Sequence, residues 1–134
     1  MVTDEAEIVR VALEALDAAI GSGDAAAIAE CCEPDVVFIG SGDGEEAVGL
    51  EAFRAMIEAI TAHVEGGSFA IDWDSHGAEL HGDLALVSGL GRIRAAGAMQ
   101  RFDGNRYRLT GVLVRARGHW RWKVYHGSEP GAWA

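Results

Sequence analysis

A chain of 134 residues, 49% of them hydrophobic, is long enough for one domain (1-134) with a real apolar core. Its formal net charge of -10 argues against nucleic acid and anionic membrane as partners. No apolar run approaches the roughly 18 residues of a membrane span, and no basic-then-apolar leader opens the chain, so a cytoplasmic protein is expected.

The charge is unevenly spread. Residues 1–91 carry a balance of -17 and residues 92–134 a balance of +7. Two readings follow: complementarity between the two parts or across a subunit contact, or a locally positive pocket for an anionic ligand. Cys31 and Cys32 are adjacent, which suits small buried hydrophobes better than a staple or a zinc site.

Ile8, Ala12, Ala15, Leu16 and Ala19 fall at helical spacing and predict a helix over 4–20, with an Asp4–Glu7 capping box and Gly21 at its end. Asp24 caps a second helix from Ala25 to about Cys32, which Pro34 cannot continue. Val36 to Ile39 is short and β-branched, hence a strand. Ser41 to Gly44 must turn. A third helix over 50–63 carries Phe53, Met56, Ile57, Ile60 and Val64 on one face, with His63 suiting the macrodipole at its end.

From Ser68 the chain reads as strand. Phe69, Ile71 and Trp73 alternate with Ala70, Asp72 and Asp74; His81-Gly82-Asp83 turns; Leu84 to Arg94 returns. After a looser stretch over 97–104, Tyr107–Ala116 and Trp120–Ser128 form a hairpin through Arg117-Gly118-His119. Strict alternation puts Trp120, Trp122, Val124, His126 and Ser128 on one face of the last strand. Helices first and a meander of strands afterwards predict an α+β fold, with three N-terminal helices covering one face of a mainly antiparallel sheet.

Several segments in this order carry a resemblance: Gly23-Asp24 between two helices, Pro34-Asp35-Val36-Val37-Phe38, Gly49 opening a helix, and Gly82-Asp83-Leu84-Ala85. With Arg108-Leu109-Thr110 leading to Trp120, and His126-Gly127-Ser128-Glu129-Pro130, the chain resembles the SnoaL-like branch of the nuclear transport factor 2-like superfamily. Its ending also resembles the association domain of calcium/calmodulin-dependent kinases. The resemblance implies a cone, a curved sheet wrapped around the helices with an internal pocket. It also turns the Arg108, Thr110, Val112 and Val114 face inward. The family includes ketosteroid isomerase and polyketide cyclases, but the isomerase-type base would fall near Ile39 or Gly40 and its tyrosine near Leu16. Neither position carries the needed group, so that mechanism is not expected.

On this reading His126 and Arg108 are the candidate catalytic residues, one for proton transfer and one to clamp a carboxylate or polarise a carbonyl. Phe38, Trp73, Thr110, Trp122 and Ser128 are the candidate ligand-binding residues. His126 could equally be structural, and Arg108 could pair with an acid such as Asp35. No metal pattern, phosphate loop or nucleophile elbow appears, so no metal or cofactor is expected. The expected ligand is a small apolar or carboxylate-bearing molecule, bound without catalysis or turned over by an isomerase, cyclase or dehydratase reaction. With Tyr107, Leu109, Leu113, Leu84, Leu86 and Leu90 outward, a homodimer through the outer sheet face is expected.

Overall fold

The computed structural model describes residues 4–63 and 67–131. Thr61 and His63 are described by their backbone only, so the expectation for the His63 side chain and the one for Val64 lie outside the described residues. The first helical stretch is α1 (Asp4–Val9), a π-helical segment (Arg10–Ala15) and α2 (Leu16–Ser22). The π segment is marked by the Leu16 N–H bonding the Val11 carbonyl, one residue further back than in an α-helix. The extra residue widens the buried stripe, so that Val11, Ala12 and Leu13 are all buried in succession. Wider turns leave carbonyls poorly satisfied, and the Trp73 indole N–H donates to the Leu13 carbonyl at 3.2 Å.

The stop comes two residues later than expected: Gly23, at φ 68°, takes the left-handed conformation and its N–H bonds the Ala19 and Ile20 carbonyls. Asp4 is not spent on a capping box; it pairs with Arg115 at 3.0 Å. Asp24 caps α3 (Ala25–Cys31), accepting from the N–H groups of Ala26 and Ala27 at 3.1 and 3.2 Å. In α4 (Leu50–His63), Phe53 and Ile57 are buried, and Met56 and Ile60 are half-buried beside them.

Six strands make one sheet: β1 (Cys32–Ile39), β2 (Glu46–Val48), β3 (Ser68–His81), β4 (Leu84–Ala96), β5 (Arg106–Ala116) and β6 (His119–Ser128). The order across it is β2-β1-β6-β5-β4-β3, antiparallel except where β1 runs parallel to β6. The sheet is curved, with the helices against its concave face. The short β2 escaped the sequence reading, which passed from a turn directly to the third helix. A 3-10 helix (Gly97–Phe102) fills the stretch between β4 and β5. Among the described residues no helix is long and apolar enough to cross a membrane.

One irregularity decides what faces inward. Val112 lies opposite Val124, yet Leu113 lies opposite Trp122, so Lys123 is an extra residue in β6. A bulge of this kind flips every later side chain to the other face. Trp120 and Trp122 point into the core before it; Tyr125 and Gly127 do so after it. In β5 the buried series is Tyr107, Leu109 and Leu113, the reverse of the expected phase. β4 keeps the expected one, with Ala85 and Val87 buried and Leu84, Leu86 and Leu90 exposed.

Three of the nine bases after residue 91 meet acids from the first part of the chain. Arg94 pairs with Asp72, Arg115 with Asp4 and Asp83, and Lys123 with Asp35. Complementarity within the chain therefore accounts for part of the charge asymmetry.

Candidate functional site

Arg108, Thr110 and His126 are exposed on the outer, convex face, which corrects the expectation that they line an internal pocket. Lys123 carries His126 outward by the bulge, and the Tyr107-Leu109-Leu113 series claims the inside of β5 because it is the apolar one. Ser128 is half-buried on that same outer side, accepting from Arg108 Nε at 3.2 Å. Asp35 is paired with Lys123, not with Arg108. Phe38 and Trp122 are buried and Trp73 is half-buried, all three packed in the core.

These three belong to a continuous set of rings. Phe53 from α4 stacks on Phe38 of β1 at 4.3 Å, and Phe38 stacks on Tyr125 of β6 at 4.6 Å. Trp122 meets Tyr125 edge-on at 5.0 Å, and Trp73 meets Tyr107 edge-on at 6.2 Å. The two halves join where the Tyr107 and Tyr125 hydroxyls approach to 2.7 Å. Offset and edge-on ring pairs each add about 0.5–1.5 kcal/mol beyond their burial.

Glycines on the inner face make room for this set. A Cβ on Gly89 would stand 2.8 Å from the Trp73 ring, one on Gly111 2.5 Å from the Trp122 ring, and one on Gly127 2.5 Å from the Tyr107 ring. Each strand from β4 to β6 thus gives up a side chain so that an aromatic from a neighbouring strand can lie flat across it.

The tyrosine pair is a polar point in an apolar interior. Burial pushes the Tyr107 phenol up to about 12, against the opposing effect of its bond with Tyr125, and the charges of Glu45, Asp17 and Glu129 add to the rise. Tyr125 is raised well above its ordinary value too, by burial first and by Tyr107 next. Both therefore stay neutral donors at physiological pH. One O–H suffices for the bond between them, and the other has no acceptor among the described residues.

Acids surround this point. Asp17, half-buried on α2, accepts from the Ile71 N–H at 3.2 Å; burial pushes its carboxyl up, and that bond and the charge of Arg94 offset only part of the rise. Glu129 accepts from Ser41 Oγ at 2.7 Å and from Asn105 Nδ2 at 3.1 Å, tying the turn after β1 to the start of β5. Glu45 folds back over Gly40 and Gly42. No group of three His, Cys, Asp or Glu side chains among the described residues is placed to hold a metal ion.

The tyrosines and Asp17 were missed as site residues. Tyr107 and Tyr125 are the chain's two tyrosines, eighteen residues apart on strands predicted to pair, and that pairing was the available signal. Asp17, off the apolar stripe of its helix, gave none.

Residues 9–132 match the family model of the SnoaL-like domain. The fold is shared with an NTF2-like protein of unknown function from Pseudomonas putida, at 24% identity over 94% of this chain and 86% of that one, with a TM-score of 0.77. A candidate dehydratase of the NTF2-like family from Streptomyces avermitilis superposes with a TM-score of 0.80 at 19% identity, covering 96% of this chain and 97% of its own. A candidate calcium/calmodulin-dependent protein kinase II association domain from Xanthomonas campestris does so with a TM-score of 0.72 at 19% identity, over 96% and 89%. No curated protein matches the chain. The family match across nearly the whole length makes this chain a member of the SnoaL-like family, and its helix-filled curved sheet is the fold it shares with NTF2-like proteins.

Proposed function

We propose that this domain binds a small, uncharged, largely apolar molecule bearing a hydroxyl or carbonyl oxygen, held at the Tyr107–Tyr125 pair. The observation that carries the reading is the second phenol O–H of that pair, buried among rings with nothing described to accept it. A donor in that position gains most from a ligand oxygen. The polar handles are thus phenols, not the histidine and arginine expected from sequence. Asp17, Glu45 and Glu129 around the pair disfavour a carboxylate-bearing ligand here. The exposed bonds of Glu129 to Ser41 and Asn105 are inexpensive to open for entry.

The alternative is an isomerase, cyclase or dehydratase reaction. The raised Asp17 carboxyl favours it as the proton acceptor, with a phenol holding the developing oxyanion. Titration with 2-naphthol, followed by its fluorescence, tests the binding reading. Tyr107→Phe should weaken the complex by about three- to tenfold, the worth of one neutral hydrogen bond. Asp17→Asn should leave it unchanged, and 2-naphthoate should bind far more weakly. Equal affinity in wild type, Tyr107→Phe and Tyr125→Phe would remove the tyrosine pair from the site.

We also propose that a second copy of the chain covers the outer sheet face. Leu84, Leu86 and Leu90 are exposed there at 46%, 47% and 44%. Arg106 and Arg108 stand opposite Arg92 and Leu90 and have no carboxylate partner among the described residues. An exposed apolar patch of this kind, edged by guanidiniums with no carboxylate partner among the described residues, suits the same face of another copy and acids at its rim. Buried Tyr107, Leu109 and Leu113 take no part, so the diagnostic change is Leu86→Glu. Light scattering should give about twice 14.2 kDa for wild type and one chain mass for Leu86→Glu. A monomeric wild type at micromolar concentration would refute the pairing.

A further inference from the structure

A cleft of about 340 Å3 opens on the helical side, between Glu7–Ala15, α3 and the first residues of β6. It is separate from the tyrosine pair, which does not line it. Trp120, 1% exposed, contributes to its lining together with Val11, Ala15 and Cys31. Arg10 and Arg121 are its cations; Glu7 and Glu30 are its anions, with the His119 Nδ1 standing 4.0 Å from Glu7 Oε1.

The donors here are in excess. Among the described residues the Trp120 indole Nε1 and the Arg121 Nε are both buried with no partner, and neither Arg10 nor Arg121 enters an ion pair. Arg115 covers the Trp120 ring at 5.1 Å but spends its own N–H groups on Asp4 and Asp83. Trp122 Nε1 is unpartnered too, yet Trp122 lines neither this cleft nor the small void beside His76. A buried donor left unmet costs about 1–3 kcal/mol, so two beside one cleft point to an acceptor that fills it.

We infer that this cleft is a second ligand site, taking a small monocarboxylate with a flat apolar body. The carboxylate is the acceptor for Trp120 Nε1 and Arg121 Nε, with Arg10 as added charge, and the body lies against Val11, Ala15 and Cys31. Glu7 and Glu30 on the same lining oppose a phosphate or other dianion, which selects the single charge.

Fluorine NMR of 4-fluorobenzoate titrated with the protein tests this, with 4-fluorotoluene, which has neither charge nor oxygen, as the neutral twin. Saturable broadening of the benzoate signal and little for the toluene is expected. Arg121→Gln should weaken binding by about tenfold or more, as for a hydrogen bond to a charged group. Trp120→Phe should do likewise if circular dichroism shows it folded, and Tyr107→Phe should change nothing. Absence of saturable binding, equal binding of the toluene, or full affinity in Arg121→Gln would overturn the site. Loss in Tyr107→Phe alone would move the binding to the tyrosine pair and equally overturn it.

Discussion

Gly111→Ala is expected to destabilise the protein by about 3 kcal/mol or more, at or above the upper end of ordinary overpacking. The added methyl collides with the Val124 carbonyl, which is main chain and cannot swing away, and comes within 2.5 Å of the Trp122 ring. Trp122 is fully buried and cannot retreat. The clash sits beside the Lys123 bulge, where β6 is already bent, so relief would have to come from breaking the β5–β6 pairing. Urea unfolding followed by circular dichroism measures it. A loss under about 1 kcal/mol would mean that Trp122 does not lie across Gly111.

Trp122→Ala should cost about 3–5 kcal/mol, as large aromatic truncations in a closed core do. The indole lies over Gly111, edge-on to Tyr125, and at 0% exposure no neighbour has water to fall back on. His126→Ala supplies the contrast. Four residues along, on the face that strict alternation would share with Trp122, it should change stability by no more than about 0.5 kcal/mol, as at an ordinary surface position. Comparable losses at the two sites would show that β6 carries no bulge.

The helices were legible because their signals are local. The Asp24 cap, the 3.6-residue stripes and Pro34 fixed α3 and α4 to within a residue or so. The strands of the meander were legible for the same reason, as were the outward leucines of β4. The site was not. Trp-Arg-Trp-Lys-Val-Tyr-His reads as one alternation, and nothing in it announces that Lys123 is supernumerary, because the bulge exists only relative to β5. For β5 the hydropathy of Tyr107, Leu109 and Leu113 points inward unaided; the family resemblance, which turned Arg108 inward, overrode a sound local signal. Gly89, Gly111 and Gly127 look like weak points in strands until the rings that need their absent side chains are placed. The π segment shows only as an over-wide apolar stripe, with Val11, Ala12 and Leu13 all inside.

The central claim is that Tyr107 and Tyr125 are a buried, mutually bonded pair on the inner face. They are the chain's two tyrosines, so phenolate absorbance reports on them without interference. A phenol raised in the fold keeps its proton while the unfolded chain, near its ordinary 10, loses it. Stability is therefore full below pH 10 and falls as pH rises from 10 toward the folded value of about 12 for Tyr107. A spectrophotometric titration under native conditions should show no phenolate near pH 10. Ionisation should begin only toward pH 12, together with loss of the folded circular dichroism signal. A reversible titration of either tyrosine centred at about pH 10, with the fold intact, would contradict the account.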